Sequence, residues 1–244
     1  MEKQMQDQVV LITGGGSGIG RQAALLMARE GAQVVVAGRR ENRLLETVAM
    51  IRAGGGRGDY RVMNMRDENS LDRAIADLLE VYGRIDVLVN NAGYSKEAPF
   101  LELSEETWQD ILQVNLLAPV HCMRLVLPGM LERGSGAIVN VASAAGQRGL
   151  PNSTAYSAAK SGLIAASQAL GEEIRLSGVR VNTLCPGPVD TEILQNSDVR
   201  DYLLTSKADL CGPEDTAKGI LFLASPLSGY MNAQTISWRA RYRW

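Results

Sequence analysis

Five short apolar runs rich in Val and Ile recur along the chain: Val9-Val10-Leu11-Ile12, Val34-Val35-Val36, Ile85 to Val89, Ala137 to Val141, and Val179-Arg180-Val181. Runs without polar alternation read as strands buried on both faces. The stretches between them are amphipathic and long enough for helices, and right-handed crossovers then place helices on both sides of a parallel sheet. The expected fold class is α/β, a doubly wound parallel sheet in a single domain spanning residues 1–244. Helices are expected near 18–30, 41–53, 68–82, 104–132, 153–176 and 213–225. Ser104, ahead of Glu106 and Thr107, resembles a helix start. Ala53-Gly54-Gly55-Gly56-Arg57-Gly58 reads either as a linker or as a helix end leading into a third strand. With no internal repeat and no second composition regime, no domain boundary is placed.

Composition removes several function classes. The 25 Lys and Arg against 27 Asp and Glu give a net charge of −2, so no basic field drives nucleic-acid binding, and nothing pulls the chain toward anionic membranes. No apolar run approaches the roughly 20 residues of a membrane span, and Met1 to Gln8 is polar rather than signal-like. A soluble cytoplasmic protein is expected. Cys122, Cys185 and Cys211 are too few and scattered for a disulfide framework or zinc spacing, and read as packing thiols. The single histidine, His121, leaves no multi-histidine metal site and reads as a core or interface residue.

After the first run comes Thr13-Gly14-Gly15-Gly16-Ser17-Gly18-Ile19-Gly20, opening directly into a helix. Glycines permit turns and close approach, and a helix N-terminus offers free N–H groups and a positive dipole end to a pyrophosphate. The spacing is T-G-x-x-x-G-x-G rather than G-x-G-x-x-G. Further along, Tyr156 and Lys160 are four apart, so on a helix they share one face and set a cation beside a phenol. Bringing a phenol from a pKa of about 10 toward 7 takes roughly 4 kcal/mol of anion stabilisation, and an ammonium and the positive ring of an oxidised nicotinamide have the right sign. Tyr156 can then act as general acid or base on a carbonyl or alcohol oxygen. Ser143, at the carboxyl end of a central strand, can hydrogen-bond the same oxygen.

These motifs together resemble the short-chain dehydrogenase/reductase family over about residues 7 to 235. Thr13 to Gly20 resembles its cofactor loop, Asn90-Asn91-Ala92-Gly93 its N-N-A-G, Tyr156-Ser157-Ala158-Ala159-Lys160 its Y-x-x-x-K, and Pro186-Gly187 the segment after its sixth strand. The resemblance implies a Rossmann fold and an oxidoreductase moving hydride between nicotinamide and a carbonyl or secondary alcohol. It implies catalytic roles for Ser143, Tyr156, Lys160 and Asn115, with Lys160 also holding the ribose hydroxyls and Asn115 anchoring a water that relays protons toward Lys160. The implied cofactor contacts are Gly14, Ser17, Gly18, Ile19, Gly20, Arg39, Arg40, Asn91, Ala92, Gly93, Tyr156, Lys160, Pro186, Gly187, Val189 and Thr191. Taken singly, Asn115 could instead bond a neighbouring backbone group, and Asn90 and Asn91 could be turn formers. The resemblance also implies a homo-oligomer, a tetramer or a dimer.

NADP(H) is expected over NAD(H). The second strand ends Ala37-Gly38-Arg39-Arg40, so Gly38 stands where NAD-type relatives carry the acid that binds the ribose 2′-hydroxyl. Arg39 and Arg40 can instead hold a 2′-phosphate, whereas the loop carries Ser17 where some NADP-type relatives have a cation.

The substrate lid is expected in Val189 to Leu210, where Ile193, Leu194, Tyr202, Leu203 and Leu204 could line an apolar pocket. Within the family, 3-oxoacyl-acyl-carrier-protein reductases are the nearest likeness. Their carrier-facing helix commonly bears an arginine where this chain has Gly171-Glu172-Glu173, and acid there would repel an acidic carrier. A catalytically silent cofactor-binding regulator is the other alternative. The tail departs from the family: Gly-Gly usually follows the seventh strand, but here the chain reads Ile236-Ser237-Trp238-Arg239-Ala240-Arg241-Tyr242-Arg243-Trp244. Trp-Arg-Ala written TGG AGG GCN contains Gly-Gly codons one base over.

Overall fold

The protein is described by a computed structural model covering residues 3–195 and 210–239. Seven strands form one sheet: β1 (Val9–Thr13), β2 (Gln33–Gly38), β3 (Arg57–Val62), β4 (Val87–Asn90), β5 (Gly136–Val141), β6 (Val179–Pro186) and β7 (Thr235–Trp238). Their spatial order is β3-β2-β1-β4-β5-β6-β7 and every pairing is parallel. The order reverses between β1 and β4, and at such a switch point the loops diverge and leave a crevice at the carboxyl ends of the strands.

The five inner strands are buried on both faces because successive side chains feed two cores, whereas the edge strands β3 and β7 are only partly covered. Val10, Ile12, Val34 and Val36 join α1 (Gly18–Arg29), α2 (Glu41–Ala53) and α9 (Pro213–Ala224) in one. Val9, Leu11, Val35 and Ala37 join α3 (Glu68–Tyr82) and α5 (Ala118–Arg133) in the other. The period of two thus sorts a continuous apolar run onto opposite sides of the sheet. Ala53 to Gly58 resolves as the end of α2, a turn and the start of β3.

The helix expected over 104–132 is not one α-helix. Ser104 caps α4 (Glu105–Leu112), accepting from the Thr107 amide at 3.2 Å. A π-helical turn, Gln113–Leu117, then precedes α5. Within it Asn115 donates to the Ile111 and Tyr94 carbonyls at 3.0 and 2.9 Å, taking up backbone acceptors on the inner face of the helix. The stretch Glu105–Arg133 is also long and apolar enough to cross a membrane by length and composition, which a search for uninterrupted apolar runs overlooks. Its residues Val114, Ala118, Cys122, Met123 and Val126 pack in the second core.

Candidate active site

The first wall of the cleft is the glycine loop between β1 and α1. Gly14 takes φ +69°, and a Cβ at Gly20 would lie 2.4 Å from the Gly14 carbonyl oxygen, so only glycine lets the chain fold back under the helix start. Thr13 Oγ1 accepts from the Asn91 and Ala92 amides, both at 3.0 Å, and Asn91 Nδ2 donates to the Thr13 carbonyl at 2.9 Å. This clasp ties the loop to the end of β4. Asn91, expected among the cofactor contacts, lines the cleft, while its side-chain amide nitrogen is engaged inside the protein and braces the loop. Asn90 is buried and donates to Asn140 Oδ1 and the Pro119 carbonyl, so neither residue merely forms a turn.

At the other wall stand β5 and helices α6 (Ala144–Gln147) and α7 (Thr154–Glu173). Ser143 caps α6, accepting from the Ala145 amide at 3.1 Å. The helices cross closely at Gly146, where a Cβ would meet the Lys160 backbone at 2.7 Å. That approach, with Ser161 Oγ donating to the Gly146 carbonyl, brings Ser143 against Tyr156. Lys160 is 3% exposed; its Nζ donates to the Val141 carbonyl at 2.9 Å and lies 5.7 Å from the Tyr156 ring centroid. Asn115 Oδ1 is buried without a partner among the described residues. A Cβ at Gly93 would stand 2.7 Å from that oxygen and 3.5 Å from Lys160 Nζ, so the two groups face one small space.

Burial dominates the titration of this pair. It pushes the Tyr156 phenol above its ordinary value, with a hydrogen bond from Ser143 opposing. It also pulls the Lys160 ammonium down to about 8. In the chain without nucleotide, desolvation outweighs the Ser143 hydrogen bond and the phenol stays high; the lowering expected from sequence drew also on the positive ring of an oxidised nicotinamide. Burial likewise holds the Cys185 thiol up at about 11, so it stays neutral and packs.

A cleft of about 1170 Å³ runs between these walls. Every expected catalytic and cofactor residue lines it except Asn115, which stands just behind Gly93, and Gly20, which lies under the loop. Val189 and Thr191 close it from above; Thr191 Cγ2 would touch a Cβ on Gly18 at 3.2 Å. Leu194 lines it as expected, whereas Tyr202, Leu203, Leu204 and the Ile193 side chain lie outside the described residues. His121 is far from this chemistry: half-buried on α5, it pairs with Asp72 of α3 at 2.7 Å, a contact between helices rather than a core position.

Four arginines lining the cleft, Arg43, Arg66, Arg148 and Arg239, escaped the sequence reading. Arg43 and Arg40 both face Glu192 of α8 (Glu192–Gln195), Arg40 at 3.1 Å and Arg43 at 3.8 Å. Arg66 pairs with Asp110 beneath Tyr94, its guanidinium 5.1 Å from the ring. Arg43 was legible, one helical turn past Arg39 and Arg40; Arg66, after β3, carried no motif. Arg239, at the end of β7, lines the cleft as well. At Gly38 a Cβ would meet only Leu44 at 3.5 Å, so packing leaves room for an acid that the sequence does not supply. The cleft fits a dinucleotide: an uncluttered glycine cradle at a helix start and an exposed Arg39 without an ion pair among the described residues.

The fold, switch-point cleft and Ser-Tyr-Lys cluster define a dehydrogenase of the doubly wound class. The family model for short chain dehydrogenases matches residues 8–201, and the chain belongs to that family of oxidoreductases. Among its relatives is the 3-oxoacyl-acyl-carrier-protein reductase FabG of Thermotoga maritima, 35% identical, with 96% of each chain covered. An actinorhodin polyketide ketoreductase solved with NADPH superposes with a TM-score of 0.89 at 33% identity over 95% of each chain. Levodione reductase superposes with a TM-score of 0.91 at 29% identity, covering 96% of this chain and 97% of that one.

Proposed function

We propose that this protein is an NADP(H)-dependent reductase of ketones and dehydrogenase of secondary alcohols, with Tyr156 as its general acid and base. The observation that carries this reading is the meeting of Ser143, Tyr156 and Lys160 at one end of the cleft that begins at the glycine loop. When bound, the nicotinamide supplies or accepts the hydride. Ser143 Oγ hydrogen-bonds the substrate oxygen, and Tyr156 Oη gives it a proton during reduction or takes one during oxidation. Lys160 holds positive charge beside the phenol in its protonated form, below about pH 8. The unsatisfied Asn115 Oδ1 offers a water the acceptor it needs to connect to Lys160 Nζ. Gly14, Ser17, Gly18 and Ile19 receive the pyrophosphate, with Gly20 holding the loop from beneath; Ala92, Gly93, Pro186 and Gly187 border the nicotinamide end. Arg39 and Arg40 hold the 2′-phosphate, which competes with Glu192 for Arg40.

Relatives named as ketoacyl and polyketide ketoreductases favour a second reading, an acyl thioester substrate. Glu172 and Glu173, both exposed at the end of α7, oppose docking of an acidic carrier. The test is consumption of NADPH and of NADH with ketones, diketones, acyl thioesters and sugars. Turnover of at least one class with NADPH preferred is expected; no turnover with either nucleotide leaves the silent regulator standing. We further propose a cytoplasmic homo-oligomer, a tetramer or dimer, for which sedimentation as a monomer at micromolar concentration would be contrary.

A further inference from the structure

We propose that Arg239 is a specificity-determining residue that binds an anionic group, a carboxylate or a phosphate, on the substrate, so that the enzyme acts on acidic carbonyl compounds. The inference rests on the reductase reading above and supplies its missing substrate class.

The argument begins with the register of β7 on β6. Ser237 pairs with Cys185 and Trp238 with Pro186, and the Gly187 amide donates to the Trp238 carbonyl at 2.8 Å. This pairing delivers the next residue, Arg239, to the catalytic end of the cleft, where its Cγ lies 3.6 Å from the position of a Cβ on Gly187. The charges of both Lys160 and Arg239 bear on the Cys185 thiol, placing the guanidinium in the electrostatic neighbourhood of the catalytic lysine. One Arg239 nitrogen donates to Gln147 Oε1 at 2.8 Å, and Ser237 Oγ donates to the same oxygen at 2.9 Å. Gln147 ends the short helix α6 that Ser143 begins, so the anchor of the guanidinium and the proposed carbonyl-polarising hydroxyl ride on one element.

Charge accounting then points to a ligand. Of the cleft's arginines, Arg40 and Arg43 face Glu192, and Arg66 faces Asp110. Arg39, Arg148 and Arg239 have no carboxylate partner among the described residues; Arg39 lies at the far end, where the 2′-phosphate would sit. The catalytic end therefore keeps Arg239, with Arg148 also lining the cleft, and among the described residues Arg239 is hydrogen-bonded to a neutral amide. A guanidinium has five N–H donors in a fixed fork suited to planar or tetrahedral oxyanions. Exposed and already steered by Gln147, it can bind such a group with little further ordering.

The test uses matched substrates with NADPH: 4-oxopentanoate against its methyl ester, and hydroxyacetone phosphate against hydroxyacetone. In the wild type kcat/KM for the charged member of at least one pair should exceed the neutral one by about 10- to 100-fold, the range of a charge-assisted hydrogen bond. Which pair responds tells carboxylate from phosphate. Arg239→Ala should bring that ratio close to one, and Arg239→Lys should retain part of it. Equal use of both members by the wild type, or a ratio that Arg239→Ala leaves in place, overturns the proposal while the reductase reading stands. Loss of all carbonyl reduction in wild type overturns both. Gly-Gly in place of Arg239-Ala240 in the gene from an independent isolate would also overturn it.

Discussion

The two ends of the cleft are built in different ways. At the glycine-loop end the fit is made by backbone: positive-φ turns, a fold-back that no Cβ permits, and a clasp of Thr13 and Asn91 that closes on itself. At the catalytic end it is made by side chains from β5, α6, α7, the π-helical turn and β7, several of them buried against their own chemistry. A backbone site tolerates no added atom but stores little unfavourable energy. A side-chain site holds a lysine whose charge burial opposes and an amide oxygen without a partner. Function at this end is thus maintained at a cost in stability.

The sharpest way to separate the two ends is Tyr156→Phe. Turnover should fall by about 10²- to 10⁴-fold, the scale of general acid–base catalysis, while nucleotide affinity measured by fluorescence changes less than about threefold. Retention of most of the rate would remove Tyr156 from its role. Lys160→Met tests the stored cost. Because Lys160 titrates near 8 in the folded chain and near its ordinary 10.5 when unfolded, the unfolded state binds more protons between those values. Wild-type stability therefore rises from pH 8 to 10.5, by on the order of 3 kcal/mol, and is penalised below that window. Melting curves should show Lys160→Met inactive yet less disadvantaged, or even ahead, at pH 7, with the wild type gaining on it as pH rises; parallel curves would contradict the buried charge.

At the other end, Gly20→Ala puts a methyl against the Gly14 carbonyl and should cost about 1–3 kcal/mol by overpacking and abolish measurable nucleotide binding. Denaturant midpoints and a binding titration check this, and unchanged values would show that the loop gives way. Arg39→Ala should lower kcat/KM with NADPH by roughly tenfold and leave NADH nearly untouched, so a loss shared by both nucleotides would move the 2′-phosphate elsewhere. The smallest effect is expected outside both ends: His121→Gln, which breaks a half-exposed pair with Asp72, should shift stability by less than about 1 kcal/mol with kcat unaltered.

Sequence periodicity determined the α/β class, the five inner strands and most helix ranges to within a few residues, and residue spacing determined the motifs at both ends of the cleft. Those features are local: a strand buried on two faces must be apolar throughout, and a glycine turn into a helix is written in eight consecutive residues. Tertiary structure decided the rest. It broke the long helix at Asn115, because that side chain meets Tyr94 from another segment. It set burial of Tyr156 above the help of Ser143, because desolvation depends on everything packed around a group and not on its neighbours in sequence. It turned the Asn91 amide into a brace, brought Arg43 and Arg66 into the cleft, and carried Arg239 beside Gly187 through the pairing of β7 with β6. Such contacts join residues tens to more than a hundred positions apart, and only the closed sheet fixes which of them meet.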